Sequence, residues 1–222
     1  MSLTAPAPES KNTPKPPQQI LPLVWGFAPN RDTLGGVAYL IEHPEGAVLV
    51  DLPAWNTVNA DFLAKAQVRY CFLTHRGAIA APSQWRSFLN CILCIQEQEA
   101  YLLPGLEPRS FHTDLPLADD LYGFWTPGHS PGSACLYWQA QGGILFSGRH
   151  LLPNTEGNPT PLHTRKTFHW PRQLHHTQAL KQRFSSETLT YLCPGANLGL
   201  LRGAKFIDRA YDRLCLGIGS RE

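Results

Sequence analysis

The residues best able to do chemistry in this 222-residue chain are two histidines, an arginine and an aspartate, set at what look like strand ends and loops. Thr74 and His75 follow an apolar run, Val68–Leu73, and precede a helix-like stretch that begins near Ala81. His129 lies in Thr126-Pro127-Gly128-His129-Ser130-Pro131-Gly132-Ser133, whose glycines permit a tight backbone path while the imidazole reaches inward. An isolated histidine is more often a hydrogen-bonded structural residue than a ligand, so the surrounding motif carries the case for His129. Arg149 ends the run Ile-Leu-Phe-Ser-Gly at residues 144–148. Its guanidinium offers only donors, stays protonated, and can hold a carboxylate or phosphate bidentately. Asp51 ends Val48-Leu49-Val50 and supplies a carboxylate nearby in the sequence pattern. Ser130 and Ser133 bring hydroxyls, but no nucleophile elbow accompanies them.

Cysteines contribute less. Cys91 and Cys94 form a Cys-x-x-Cys within Cys-Ile-Leu-Cys-Ile, and a strand turns residues three apart to opposite faces. With the other four in mostly apolar strand-like runs, buried free thiols are the economical reading.

The elements that must position these residues follow from pattern. A proline-rich polar segment, 1–19, reads as an extended tail. Folded structure is expected from an edge strand at 20–27. Strands at 36–42 and 47–51 flank a His-Pro-Glu-Gly turn, and a helix at 56–66 follows. Beyond His75 come a helix, a short buried strand at 91–95 and a helical turn at 96–103. The second half reads as an antiparallel meander with strands at 109–112, 122–125, 134–138 and 144–147. An irregular stretch at 153–161, a helix opening at Trp170-Pro171, a strand at 188–193 and a final helix at 200–216 close the chain. This order fits a four-layer αββα sandwich of two mixed β-sheets flanked by helices, forming a single domain over 20–222.

Composition narrows the function classes. Nineteen basic and seventeen acidic residues give +2 without a basic arm, so nucleic acid is not an expected partner. No apolar run approaches the roughly 20 residues that span a bilayer. The N-terminus lacks the continuous apolar centre of a secretory signal, and a cytoplasmic location is expected.

Several of these segments, taken in order, resemble the metallo-β-lactamase superfamily, particularly its glyoxalase II-like and related hydrolase branch. Thr74-His75-Arg76-Gly77-Ala78-Ile79-Ala80 is similar to the family's Thr-His-x-His-x-Asp-His, and Thr126–Ser133 resembles its Thr-Pro-Gly-His-Thr-x-Gly-Ser. Gly148-Arg149 stands where the family has Gly-Asp, Pro194-Gly195-Ala196 where it has Pro-Gly-His, and Asp51 where it has a supporting aspartate. The resemblance implies a dinuclear metal centre in relatives. Here positions 77, 79, 80, 149 and 196 carry glycine, isoleucine, alanine, arginine and alanine, leaving His75 and His129. Two imidazoles fall short of the three protein ligands typical of catalytic zinc. Among the remaining histidines at 150, 163, 169, 175 and 176, His150 is the best candidate for an added ligand; His175 and His176 cannot both face one way on a helix.

The expectation is therefore a non-hydrolytic pseudoenzyme that binds a ligand or protein, with no cofactor. Its candidate site is His75, His129 and Arg149, supported by Asp51. A small anion is the expected ligand, attracted by Arg149 together with protonated His75 or His129. The bland counterpart is an internal Arg149–Asp51 ion pair. Two rivals remain: a divergent mononuclear hydrolase of an ester, thioester or phosphoester, using zinc, iron or manganese on His75, His129 and His150; and a scaffold or assembly factor.

Overall fold

The structure is a computed structural model that describes residues 14–219. Its first sheet has seven strands in sequence order: β1 (Gln18–Leu21), β2 (Val24–Gly26), β3 (Tyr39–Ile41), β4 (Ala47–Val50), β5 (Val68–Leu73), β6 (Ile92–Gln96) and β7 (Arg109–Phe111). Pairings are antiparallel from β1 to β4 and parallel from β4 to β7. Parallel neighbours need crossovers, and α1 (Thr57–Leu63) and α2 (Pro82–Leu89) supply two of them. The Asn56 side chain caps α1 by accepting from the Asn59 N–H, while Pro82 opens α2 where a missing N–H costs nothing.

The second sheet contains β8 (Asp114–Ala118), β9 (Leu121–Trp125), β10 (Ala134–Trp138) and β11 (Ile144–Gly148). A small separate ribbon, β12 (Leu152–Pro153) with β13 (Pro159–Thr160), intervenes before β14 (Tyr191–Pro194) and β15 (Ile207–Asp208) return to the sheet. Strand order is β15-β14-β11-β10-β9-β8, with β11 and β14 parallel. The helices of this half are α3 (Trp170–Arg183) and α4 (Ala210–Gly219).

Strand periodicity sorts the side chains into three apolar layers. Tyr39, Ile41, Val48, Val50 and Phe72 pack between the sheets against Leu136, Trp138, Ile144 and Phe146. The alternate residues Leu40, Leu49, Cys71 and Leu73 face outward to Ala60 and Leu63 of α1 and Trp85 of α2. On the other side Cys135, Tyr137, Leu145 and Leu192 meet Leu180 of α3 and Leu214 of α4. The expected four-layer αββα sandwich of two mixed sheets is the observed architecture. Cys91 lies in the helix-facing layer and Cys94 between the sheets, on opposite sides as strand geometry requires. Burial pushes their thiols up to about 11 and about 12, so neither is a ready nucleophile.

Four expectations differ in detail. Residues 20–27 are a hairpin, because Leu23 turns the chain with φ 60° and β1 starts earlier, at Gln18; of the rest of the expected tail, residues 14–17 carry no helix or strand and residues 1–13 lie outside the described residues. The strand near 109 belongs to the first sheet, running parallel to β6. The meander begins instead with β8, an edge strand whose Pro116 masks it in the sequence, since proline is tolerated only where no ladder donor is needed. Finally, residues 200–216 are not one helix: a short 3₁₀ turn at Leu198–Leu201 and β15 precede α4. Among the described residues, no helix is long and apolar enough to cross a membrane.

Candidate functional site

The floor of the site is a buried polar chain at the ends of β4 and β5. Asp51, in left-handed conformation (φ 60°), accepts from the Thr74 N–H at 2.7 Å and the Thr74 hydroxyl at 2.8 Å. The Thr74 oxygen in turn lies 2.9 Å from His75 Nδ1. When Asp51 is ionised, Thr74 spends its only proton on the carboxylate, so His75 Nδ1–H must donate to Thr74. His75 Nε2 is then an acceptor, and it is buried without a partner. Burial is the largest influence on Asp51 and raises its carboxyl to about 7, with the Thr74 bonds and Arg149 pulling the other way.

His129 comes from the loop between β9 and β10. That loop is closed by Thr126 N–H donating to Ser133 O at 2.8 Å and fixed to the His75 strand by Ala134 N–H donating to Thr74 O at 2.8 Å. The consequence is a His75–His129 ring-centroid distance of 5.1 Å, edge to face. Gly128 explains the glycine in this motif. With φ 142°, it lies against α3 so closely that a Cβ would fall 2.4 Å from Cα of Gln173. Main-chain donors from Phe168 to His129 O and from His169 to Gly128 O lay the segment before α3 beside this loop.

Arg149 is the third expected member, and the structure revises its role. Its Nη2 donates to the carbonyls of Thr33 and Leu34, at 2.8 and 3.0 Å. Among the described residues it forms no salt bridge, so the anticipated ion pair with Asp51 is absent; their influence on one another acts over a longer distance. Leu34, held by this clasp, is itself left-handed (φ 55°), a conformation that costs a branched residue about 1 kcal/mol or more.

His75, His129 and Arg149 line one pocket of about 280 Å³ with Leu34, Arg76, Gly77, Arg165, Lys166, Thr167 and Phe168. Sequence reasoning therefore placed three of its residues together and missed the others. Arg76 was visible beside His75, whereas Arg165 and Lys166 sit in an aperiodic stretch whose packing only the fold reveals. Four side chains in the lining are cationic and none is a carboxylate. The expected histidine charge is contradicted. Burial, reinforced by Arg149 and Arg76, holds His129 down at about 4, and burial, His129 and the same arginines hold His75 well below its ordinary range. Both rings are neutral near pH 7, and the pocket's positive charge belongs to its arginines and lysine.

The remaining candidates fall elsewhere. His150 is fully buried, with Nε2 3.2 Å from the Thr177 hydroxyl of α3 and its carbonyl accepting from Gln173; it does not line the pocket. That corrects its assignment as a third ligand. Ile79 packs into the helix-side core rather than the site. Gly195, beside Ala196, closes the inner end with Asp51, His75 and Ala78, in a space too tight for a water molecule. Ser130 and Ser133 are buried outside the pocket lining. Among the described residues, no group of three histidine, cysteine, aspartate or glutamate side chains is placed to hold a metal ion.

No protein-family model matches the chain, and no curated protein matches it. Solved structures do. A metallo-beta-lactamase from Erythrobacter litoralis aligns over 92% of this chain and 96% of its own, at 14% identity and a TM-score of 0.67. The chain has the metallo-β-lactamase fold. A metallo-beta-lactamase family protein from Thermus thermophilus (18% identity, 89% and 79% coverage, TM-score 0.62) also shares this fold. So does an archaeal metallo-beta-lactamase superfamily protein from Sulfolobus tokodaii (11%, 90% and 87%, 0.61). At such identities the metallo-β-lactamase likeness concerns architecture and not activity.

Proposed function

We propose that this protein is a non-hydrolytic member of its fold, in which the dinuclear metal centre has given way to a pocket for a small oxyanion. The observation that carries the reading is the lining itself: Arg76, Arg149, Arg165 and Lys166 around two neutral imidazoles, with no carboxylate. A dication needs anionic or neutral lone-pair donors, and His75 and His129 alone do not make a dinuclear set. Arg149 adds repulsion where the resemblance calls for an aspartate. Hydrolysis through a covalent intermediate also needs an activated side-chain nucleophile, and the hydroxyl in the lining, that of Thr167, donates to Leu162 O instead.

Carboxylates and phosphates suit the pocket because guanidinium groups bind them through paired, charge-assisted hydrogen bonds, strengthened by partial exclusion of water. With Asp51 ionised, the orphaned His75 Nε2 adds one acceptor among the donors, which favours an anion carrying a proton of its own, such as hydrogen phosphate.

Calorimetric titration with inorganic phosphate tests the reading. Wild-type protein should bind it, and Arg165→Ala with Lys166→Ala should weaken binding roughly tenfold, two exposed charges each contributing up to about 1 kcal/mol. Both side chains are exposed, so the fold should survive their removal. Equal affinity in the two proteins would refute the cationic pocket.

A further inference from the structure

The pocket that gathers the cations also gathers apolar surface. Leu34 is 64% exposed and Phe168 51% exposed, and both line it. They arrive on unrelated segments, and each is fixed by a hydrogen bond to a pocket residue: Leu34 O accepts from Arg149, and Phe168 N–H donates to His129 O. Leu34 is moreover kept in a left-handed conformation that glycine or asparagine would adopt with less strain. A strained, exposed leucine beside a second exposed apolar side chain is unfavourable in a pocket meant for a bare ion.

We infer that the pocket takes an amphiphilic ligand, a carboxylate or phosphate head joined to a short apolar group that lies against Leu34 and Phe168. This rests on the oxyanion reading above and adds the second half of the ligand. Size agrees: about 280 Å³ is roughly nine water volumes at about 30 Å³ each, room for an oxyanion and a chain of some four to six carbons. Arg76, Arg165 and Lys166 serve the head, while Arg149 holds Leu34 in place for the tail.

The test is a calorimetric series of inorganic, methyl and butyl phosphate, repeated with acetate and valerate to separate the two head groups. A fully buried methylene is worth about fourfold in affinity and a half-covered one about twofold, so three added methylenes should tighten butyl over methyl phosphate about eightfold. Leu34→Asn, chosen because asparagine accepts the left-handed backbone, and Phe168→Ser should each cut that gain, read within each variant as its butyl-to-methyl affinity ratio, to about threefold or less. Equal binding of methyl and butyl phosphate by wild-type protein that still binds inorganic phosphate would overturn this inference and leave the oxyanion pocket standing. The same holds if the chain-length gain persists undiminished in both variants. Absence of binding by every probe, inorganic phosphate included, would overturn both.

Discussion

Acidification from pH 6.5 to 4.5 should unfold this protein or bring it close to unfolding. Burial holds His129 at about 4 and His150 at about 3, and puts His75 well below its ordinary value, whereas in the unfolded chain all three titrate near 6.5. As pH falls through that range the unfolded state takes up three protons that the folded state refuses, so stability present above 6.5 is progressively lost. Asp51 works in the opposite direction. Its folded value of about 7 exceeds its unfolded value near 4, so the folded state binds that proton first and gains stability as pH falls between the two. The balance is two protons in favour of the unfolded chain, on the order of 3 kcal/mol per pH unit across the window. Denaturant midpoints measured at half-unit intervals would show a steep fall between 6.5 and 4.5. A flat profile there would mean that these imidazoles are not buried as described.

Substituting Gly128 by alanine should be the most damaging small change near the site. Its φ of 142° is unfavourable for alanine, and the added Cβ would lie 2.4 Å from Cα and Cβ of Gln173. Backbone strain and forced separation of the loop from α3 together should cost roughly 3 kcal/mol or more. The same movement would disturb the main-chain bond from Phe168 to His129, and with it the segment bearing Arg165 and Lys166, so phosphate affinity should fall as well. Gly105→Ala provides the control, since Gly105 also has positive φ (72°) but an added methyl group there would meet nothing within 4 Å. Similar midpoints for the two variants would show that contact with α3 is not what fixes this loop.

Strands β5 and β10 were legible because β10 is an unbroken apolar run and β5 is apolar but for the exposed Arg69, with lengths and flanks that leave little alternative. Pairing is another matter: Arg109–Phe111 looks like the start of the meander, and only the register with β6 assigns it to the first sheet. Proline hid β8, and Leu200 and Leu201 suggested the start of a helix where the chain makes a 3₁₀ turn. At the site, the motifs around His75 and His129 announced their meeting, because each histidine sits in a loop whose glycines and flanking strand restrict its path. The charge of those rings was not legible, since it depends on burial and on Arg149 and Arg76. Nor was the clasp from Arg149 to Thr33 and Leu34, as carbonyl acceptors leave no mark in side-chain identity.

If cations of the protein have taken the place of metal ions in this pocket, the chain should stay essentially metal-free even when purified under metal-replete conditions. Elemental analysis measures this most directly. Zinc, iron and manganese should each remain far below one ion per chain, whereas two tightly retained ions per chain would contradict the cationic pocket and require a rebuilt metal centre.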